Sequence, residues 1–327
     1  MFKIEQISVY HPSTKRDNNY YIEHFSQKGK NVTPVLEKTG RKTRYIIENT
    51  EENSLTMAIK AAKKALSAAH IMAKDIDLII FTSSTPEYLS PTNALMIHKA
   101  IEGKEDTLCF DLNGNCIGMF IALEQATRTL QTNPKMKRAM IIGSDFLNLL
   151  AYPEHLITYS IFGDAAVAMI IEKDISCLSG MIDVAYETNG DFKEEIVYPA
   201  HGMAKSLRQQ AEHDYLYWGH FSGRDSLKFA EKSIRAMLNK HGLLLDDIKA
   251  FCLSQFTLAN IKLIQESLHL QDKQIVYIGD QYGYTGTSSP FLALYTAIEA
   301  KQIQRGDYIV FWTLGSGYQT GTLLWRY

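Results

Sequence analysis

The stretch FDLNGNCIGMF, residues 110–120, places a cysteine between a strand pattern and a helix pattern. TLCFDL has the length of a short strand, and IGMFIALEQATRTLQ continues with the apolar spacing of a helix. Cys116 therefore opens a helix at a strand–turn–helix elbow. A helix N-terminus presents free backbone N–H groups and the positive end of the helix dipole. We expect these to hold the thiol pKa below its usual value of about 8.5 and to favour an oxyanion.

The residues alone leave two interpretations of Cys116 open. It is a nucleophile at the floor of an apolar pocket suited to an acyl chain, or it is a small core residue, the usual role of a lone cysteine in an apolar stretch. A nucleophilic cysteine usually has a histidine partner. None of the ten histidines follows a strongly apolar strand pattern, and the late strand ends carry Gly, Ser, Thr, Tyr and amides instead. The residues therefore predict a thiol in an α/β fold without naming its reaction.

Helix and strand patterns alternate on both sides of the elbow. Residues 56–71 have helical spacing, and residues 75–84 form the continuous apolar run typical of a buried parallel strand. This alternation predicts an α/β layered fold. The helix–link–strand pattern around Asp75 returns around Asp247, at an offset of 247 − 75 = 172 residues. Such repetition indicates a duplication, with chance similarity between α/β units as the alternative. We expect two halves, residues 1–173 and 174–327.

Composition excludes several classes of function. Of the 327 residues, 46% are apolar and 21% charged, and the formal net charge of −2 argues against nucleic acid or an anionic membrane as partner. A local basic patch for an acidic carrier stays open. The four cysteines show neither CxxC pairing nor metal-ligand spacing, so we expect no metal and no cofactor. Without an N-terminal leader pattern or a long apolar stretch, we expect a soluble cytoplasmic protein.

Seven segments, in order along nearly the whole chain, resemble 3-oxoacyl-acyl-carrier-protein synthase III, a family of thiolase-like condensing enzymes. The segments are KTGRKTRYI, FDLNGNCIGMFIALEQA, IFGDAAVAMII, GRDSLKFA, LANIKLI, YGYTGTSSPFLAL and LGSGYQTGTLLWRY. The resemblance implies a five-layered αβαβα thiolase-like fold of two duplicated halves and a homodimer. It also implies acyl-CoA, acyl carrier protein or both as partners, with Cys116 as the acylated nucleophile.

The chain departs from the family's Cys-His-Asn triad at two positions. Counted back from Asn260 without a gap, the histidine position falls on Thr257, with Gln255 close by if the register slips, and the asparagine position falls on Tyr284. Thr, Gln and Tyr still donate hydrogen bonds, but none replaces histidine as a base near neutral pH. Removal of one oxyanion donor typically costs about 10²–10³-fold in rate. We therefore expect acyl loading to survive better than malonyl decarboxylation.

The resemblance assigns further site residues. Gly315, Ser316 and Gly317 correspond to the glycine-rich turn that completes the oxyanion hole with Cys116, although a tight turn alone is the alternative.

Other positions correspond to the substrate path. Asn260 and Lys262 match the region along the pantetheine and nucleotide, whereas Pro34 and Lys38 stand where the family has a tryptophan and an arginine. We therefore expect weak or no binding of the CoA nucleotide. Leu89 matches a residue that shapes the acyl pocket across the dimer, with plain interface packing as its alternative.

Three hypotheses of function follow. The first is an acyltransferase that forms an acyl thioester on Cys116 and passes the acyl group to a malonyl-type carbanion or to an oxygen, nitrogen or sulfur acceptor, in fatty-acid-like or specialised metabolism. The second is a catalytically impaired subunit that pairs with an active homologue as a heterodimer. The third is an unrelated α/β binding protein.

Overall fold

The structure, a computed structural model, describes residues 1–209, 214–219 and 223–327. Within these ranges the strands are β1 (Phe2–Tyr10), β2 (Lys15–Asp17), β3 (Thr43–Tyr45), β4 (Leu78–Thr82), β5 (Leu108–Leu112), β6 (Arg138–Asp145), β7 (Ala165–Lys173), β8 (Gly180–Thr188), β9 (Ile196–Val197), β10 (Tyr217–Trp218), β11 (Ile248–Leu253), β12 (Tyr308–Gly315) and β13 (Gln319–Arg326). The α-helices are α1 (Asn18–Ser26), α2 (Thr33–Thr39), α3 (Ser54–Ala69), α4 (Asn93–Ile101), α5 (Gly118–Thr132), α6 (Leu147–Leu150), α7 (Leu156–Ile161), α8 (Met203–Gln209), α9 (Arg224–Lys240), α10 (Leu258–Leu268), α11 (Gly279–Tyr282) and α12 (Ser289–Glu299).

Two mixed sheets form the centre of the molecule. The first has the strand order β1-β7-β6-β4-β5, and the second has the order β11-β12-β13-β8. Each sheet contains a parallel pair whose strands are connected through helices, β4 with β6 in the first sheet and β11 with β12 in the second. The strand that follows each pair along the chain is antiparallel to it: β7 pairs with β6, and β13 pairs with β12. In the first sheet, β5 pairs in parallel with β4. At the equivalent place in the second sheet there is only a single parallel bridge, between Phe251 of β11 and Ile275. The two halves therefore repeat one topology, which confirms the predicted duplication.

The helices complete five layers, as predicted. Helices α5 and α12 lie between the two sheets, where Leu123 and Leu294 belong to one apolar cluster with residues of both sheets. Helices α3 and α4 cover the outer face of the first sheet, and α9 and α10 cover the outer face of the second. Since α5 is buried between sheets, apolar residues occupy most of its faces. The predicted boundary at residues 173 and 174 falls between β7 and β8; as a division into domains it stays a prediction.

The duplication extends to the turns that open the two central helices. A 3₁₀ turn, Asn115–Ile117, precedes α5, and another, Gly286–Ser288, precedes α12. Asn115 and Gly286 share a left-handed backbone, with φ of 45° and 62°. Cys116 and Thr287 thus occupy equivalent positions, at an offset of 287 − 116 = 171 residues.

Two buried arginines fix the N-terminal segment, Arg41 against the second half and Arg44 within the first. The buried guanidinium of Arg41 donates to the carbonyl oxygens of Gln255 and Phe256, at 2.8 and 2.5 Å. The buried guanidinium of Arg44 lies 3.8 Å from the ring centre of Tyr21. Arg41 therefore holds the backbone at the end of β11 in place. No helix in the described parts of the chain is both long enough and apolar enough to cross a membrane.

Candidate active site

A cavity of about 310 Å³ opens beside Cys116. Residues at the ends of strands and the antiparallel pair of β9 and β10 form its walls. The lining residues are Ser84, Asn113, Asn115, Cys116, Leu147, Leu150, Phe162, Ile196, Val197, Tyr198, Leu216, Trp218, Gly223, Ser254, Phe256, Asn260, Tyr284, Trp312, Leu314, Gly315 and Ser316. The wall is mostly apolar, with a few polar groups near the thiol, which is the usual composition of a small-molecule site.

Cys116 lies on the 3₁₀ turn before α5, as the elbow predicts. Burial, followed by the charge of the Asp145 carboxylate, raises the pKa of the thiol to about 12, although the Tyr284 hydroxyl and the backbone N–H of Cys116 act in the opposite direction. The expectation of a thiol pKa below the usual value is therefore wrong. Removal of the thiolate from water and a neighbouring carboxylate outweigh the helix terminus.

Tyr284 and Ser254 line the cavity with Cys116; the Tyr284 hydroxyl lowers the pKa of the thiol, and Ser254 lowers the pKa of Tyr284. The Tyr284 side chain is 4% exposed, and burial followed by the nearby thiol raises its pKa well above the ordinary value. Its backbone is fixed between Ile161 and Gly163 by hydrogen bonds of 2.8 and 3.0 Å. Tyr284 is therefore a rigid, neutral side chain in the cavity wall.

The structure does not bring Gln255 or Thr257 to the cavity. Gln255 is buried, donates to the carbonyl oxygens of Leu253 and Val276, and accepts from the N–H groups of Ile278 and Gly279. The Thr257 hydroxyl accepts the N–H of Asn260 at 3.0 Å and caps α10. Both side chains are engaged in holding the fold.

Ser254 and Phe256 reach the cavity instead, and both were missed at the sequence level. Successive side chains at the end of a strand point to opposite sides, so residues 254 and 256 share the side opposite to Gln255. If this alternation is continued past Leu253, the last residue of β11, it predicts that Ser254 and Phe256 lie on one side of the chain.

The glycine-rich turn after β12 packs directly against the elbow. Gly315 and Ser316 line the cavity, whereas Gly317 does not. A Cβ at Gly315 would lie 2.1 Å from Oδ1 of Asn115, and Nδ2 of Asn115 donates to the Ser316 carbonyl oxygen at 3.4 Å. A side chain at position 315 would therefore displace Asn115, the residue that precedes Cys116.

Four aromatic rings form one wall of the cavity. Trp218 and Phe256 stack at 5.4 Å with an interplanar angle of 13°. Phe162 lies 6.2 Å from both Trp218 and Tyr284, and Phe256 meets Tyr284 edge to face at 5.2 Å. The indole N–H of Trp312, also in the lining, is buried and has no hydrogen-bond partner among the described residues.

Comparison with known proteins places this geometry in a family. The family model of 3-oxoacyl-[acyl-carrier-protein (ACP)] synthase III matches residues 110–190, and the model of its C-terminal part matches residues 238–327. The β-ketoacyl-[acyl-carrier-protein] synthase III of Coxiella burnetii strain Dugway 5J108-111 is 30% identical over 297 residues, 89% of either chain. This chain belongs to the 3-oxoacyl-ACP synthase III family.

Solved structures agree with this assignment. The synthase III of Aquifex aeolicus is 25% identical and superposes over the full length of both chains with a TM-score of 0.87. Xanthomonas campestris OleA, solved with lauric acid and lauroyl-CoA bound, is 17% identical with a TM-score of 0.86 over 100% of this chain and 99% of that one, a likeness in fold. The resemblance predicted from the seven segments is confirmed, and the chain is an acyltransferase of the synthase III type.

The described lining of the cavity carries no charged side chain. In the described residues that line the cavity, no side chain is a histidine, carboxylate, lysine or arginine. His213 and His220 lie outside the described residues. The described polar side chains of the lining, apart from Cys116 and the indoles of Trp218 and Trp312, carry hydroxyls or amides, so no imidazole is among them.

The remaining predicted residues have different places in the synthase III structure. Asn260 lines the cavity, whereas Lys38 and Lys262 are exposed on α2 and α10 outside its lining. Leu89, in the loop after β4, is 72% exposed. The roles assigned to these residues stay predictions.

Proposed function

We propose that this enzyme accepts an acyl group from an acyl-CoA or acyl-carrier thioester onto Cys116 and then transfers it to a separate acceptor. The observation that carries the proposal is the place of Cys116 on the turn before α5, in a mostly apolar cavity whose described lining is uncharged. In the first half-reaction the Cys116 sulfur bonds to the acyl carbon, the bond to the donor sulfur breaks, and the thiol proton ends on the departing thiol. The acyl chain then lies along the aromatic wall.

The turn at Cys116 supports stabilisation of the oxyanion. At the equivalent turn in the second half, the N–H of Thr287 donates to the carboxylate of Asp145 at 2.8 Å. The same backbone geometry presents the N–H of Cys116, and Tyr284 adds a hydroxyl donor beside it. Donors held in place before reaction are worth most in a site without water.

The acceptor half-reaction is the open part of the mechanism. Tyr284 and Ser254 are the two hydroxyls that could bind the thioester oxygen of a malonyl-type acceptor while its carboxylate leaves as CO₂. They are neutral donors without an imidazole among the described lining residues, so we expect this route to be slow. An amine, alcohol or thiol acceptor needs no stabilised enolate and is favoured on that ground.

Intact-protein mass spectrometry tests the proposal. The enzyme is incubated with a panel of acyl-CoA and acyl-carrier thioesters, beside Cys116→Ala. A gain of one acyl mass, absent in the variant, supports the proposal and identifies the preferred chain; the loaded enzyme is then offered malonyl thioesters, amines, alcohols and thiols. If no donor loads the protein, the proposal fails and the impaired-subunit hypothesis takes its place.

We also propose a dimer through the edge of the first sheet. Strand β5 is the outer strand of that sheet, and Leu89, Leu95 and Leu108 are exposed near it. An open edge with large apolar side chains is a surface that pairs with another chain. Light scattering of the purified protein distinguishes a homodimer from a monomer, and co-expression with a homologue that retains His and Asn tests for a heterodimer.

A further inference from the structure

The nucleophile and the aromatic wall belong to one apolar cluster. Besides Cys116, this cluster contains all four rings of the wall, Phe162, Trp218, Phe256 and Tyr284. Of the aliphatic side chains that line the cavity, only Leu147 and Leu216 belong to it. Among the lining residues that share a cluster with Cys116, rings therefore outnumber aliphatic side chains by four to two.

Two rings of the wall leave part of their surface uncovered. Trp218 and Phe256 are half-buried, whereas Phe162 and Tyr284 are 2% and 4% exposed. Trp218 and Phe256 stack at 5.4 Å, and the two buried rings meet this pair edge to face, at 65° for Phe162 on Trp218 and 88° for Tyr284 on Phe256. Stacked and edge-to-face arrangements are the ones that aromatic rings prefer. A further ring against the uncovered surface continues the same packing.

The backbone that carries the wall is held in place before any ligand binds. The buried guanidinium of Arg41 donates to the carbonyl oxygen of Phe256 at 2.5 Å. The backbone of Tyr284 is bonded to Ile161 and Gly163 at 2.8 and 3.0 Å. Side chains that are already positioned lose little conformational entropy when a ligand packs against them.

We propose that the acyl group taken up by this site is an aryl-acyl group whose ring packs against Trp218 and Phe256. This rests on the acyl loading proposed above, and the loading step is the same: the Cys116 sulfur bonds to the acyl carbon, the bond to the donor sulfur breaks, and the thiol proton ends on the departing thiol. An alkyl chain gains only the burial of apolar surface from the wall. An aromatic ring also gains about 2–10-fold in binding for each ring that it meets in a preferred arrangement.

Phenylacetyl-CoA and cyclohexylacetyl-CoA form a matched pair of donors that tests the proposal. Their rings have the same number of carbon atoms, and a CH₂ group separates each ring from the thioester, so the two thioesters have similar intrinsic reactivity. The second-order rate constant for acylation of Cys116 is measured for each donor by quenched-flow mass spectrometry. In the wild type the ratio of the two rate constants should favour the phenylacetyl donor by about tenfold.

Two variants remove one ring each and keep an apolar side chain. Trp218→Leu and Phe256→Leu should each lower the ratio by about 2–10-fold, while both donors still load. Phe192→Leu is the matched control, because the Phe192 ring pairs with Tyr318 at 5.5 Å and does not line the cavity. The ratio in this control should stay at the wild-type value.

The outcomes separate the aryl proposal from acyl loading itself. A wild-type ratio of one or below overturns the aryl proposal while acyl loading stands, and so does a ratio that neither ring variant lowers more than Phe192→Leu does. Loading by alkanoyl-CoA donors without loading by phenylacetyl-CoA has the same meaning. Failure of every thioester to load Cys116 overturns both the aryl proposal and the proposed function.

Discussion

Tyr284 lines the cavity beside Cys116 and lowers the pKa of its thiol, at the position where the family resemblance implies an asparagine. Ser254 also lines the cavity and lowers the pKa of the same tyrosine. A tyrosine ring also fills space that an amide would leave open, and it closes the aromatic wall against Phe162 and Phe256. The substitution therefore alters both the chemistry and the shape of the site.

Tyr284→Phe should lower the rate of acyl loading about 10²-fold, because it removes one preorganised donor and keeps the ring. The rate is measured by quenched-flow mass spectrometry. Tyr282→Phe is the matched control, since Tyr282 contacts His11 and Tyr45 and does not line the cavity. Equal losses in the two variants would mean that the hydroxyl at position 284 has no specific role.

Alkylation of Cys116 by iodoacetamide should report its raised pKa. With a thiol pKa of about 12, the thiolate fraction grows about tenfold for each unit of pH below that value, so alkylation should rise with unit slope between about pH 7 and pH 9. Peptide mass mapping separates Cys116 from the other three cysteines, and Cys116→Ser confirms the assignment. A rate that levels off near neutral pH would show an ionised resting thiol and contradict the structure.

Gln255 and Thr257 should affect stability rather than chemistry. Gln255→Ala leaves four buried backbone groups without their partner and should lower the free energy of unfolding by about 3 kcal/mol. Thr257→Ala removes a helix cap and should cost about 1 kcal/mol. Urea denaturation measures both changes. A large loss of acyl loading in folded Thr257→Ala would instead return this residue to the histidine's role.

Gly315→Ala should disrupt the elbow by direct contact. The added Cβ would approach Oδ1 of Asn115 to 2.1 Å, so Asn115 and the nucleophile after it must shift. A displaced oxyanion site should slow loading by about 10²-fold or more. Gly190→Ala is the control, because no atom lies within 4 Å of a Cβ there and its φ is not positive. Wild-type loading in Gly315→Ala would show that the turn tolerates movement.

Phe256 should limit the length of the acyl chain. Its ring stacks on Trp218 and lines the cavity, so smaller side chains extend the apolar space. Phe256→Leu and then Phe256→Ala should shift the preferred acyl-CoA stepwise towards longer chains in a competition assay read by mass spectrometry. An unchanged preference in both variants would locate the acyl chain on another wall.

Local patterns predicted the layered fold well because each helix and strand has its own periodicity. The repeat around Asp75 and Asp247 reflects a duplicated topology, and the helix that follows Cys116 is apolar on most faces because it lies between two sheets. The place of Cys116 on a turn before a helix came from the same local pattern. These features depend on neighbours along the chain, so the sequence alone determined them.

The composition of the site depended on long-range contacts instead. Counting along the chain assigned the lost histidine position to Thr257, whereas the alternation of side chains at the end of β11 turns Ser254 and Phe256 into the cavity. The direction of the Cys116 pKa shift followed from burial and from Asp145, a residue 29 positions away (145 − 116 = 29) that no local pattern connects to it. The sequence determined which helices and strands form and at which turn the thiol lies. Only the tertiary structure decided which groups surround the thiol, because burial and electrostatic coupling arise only once distant segments are packed together.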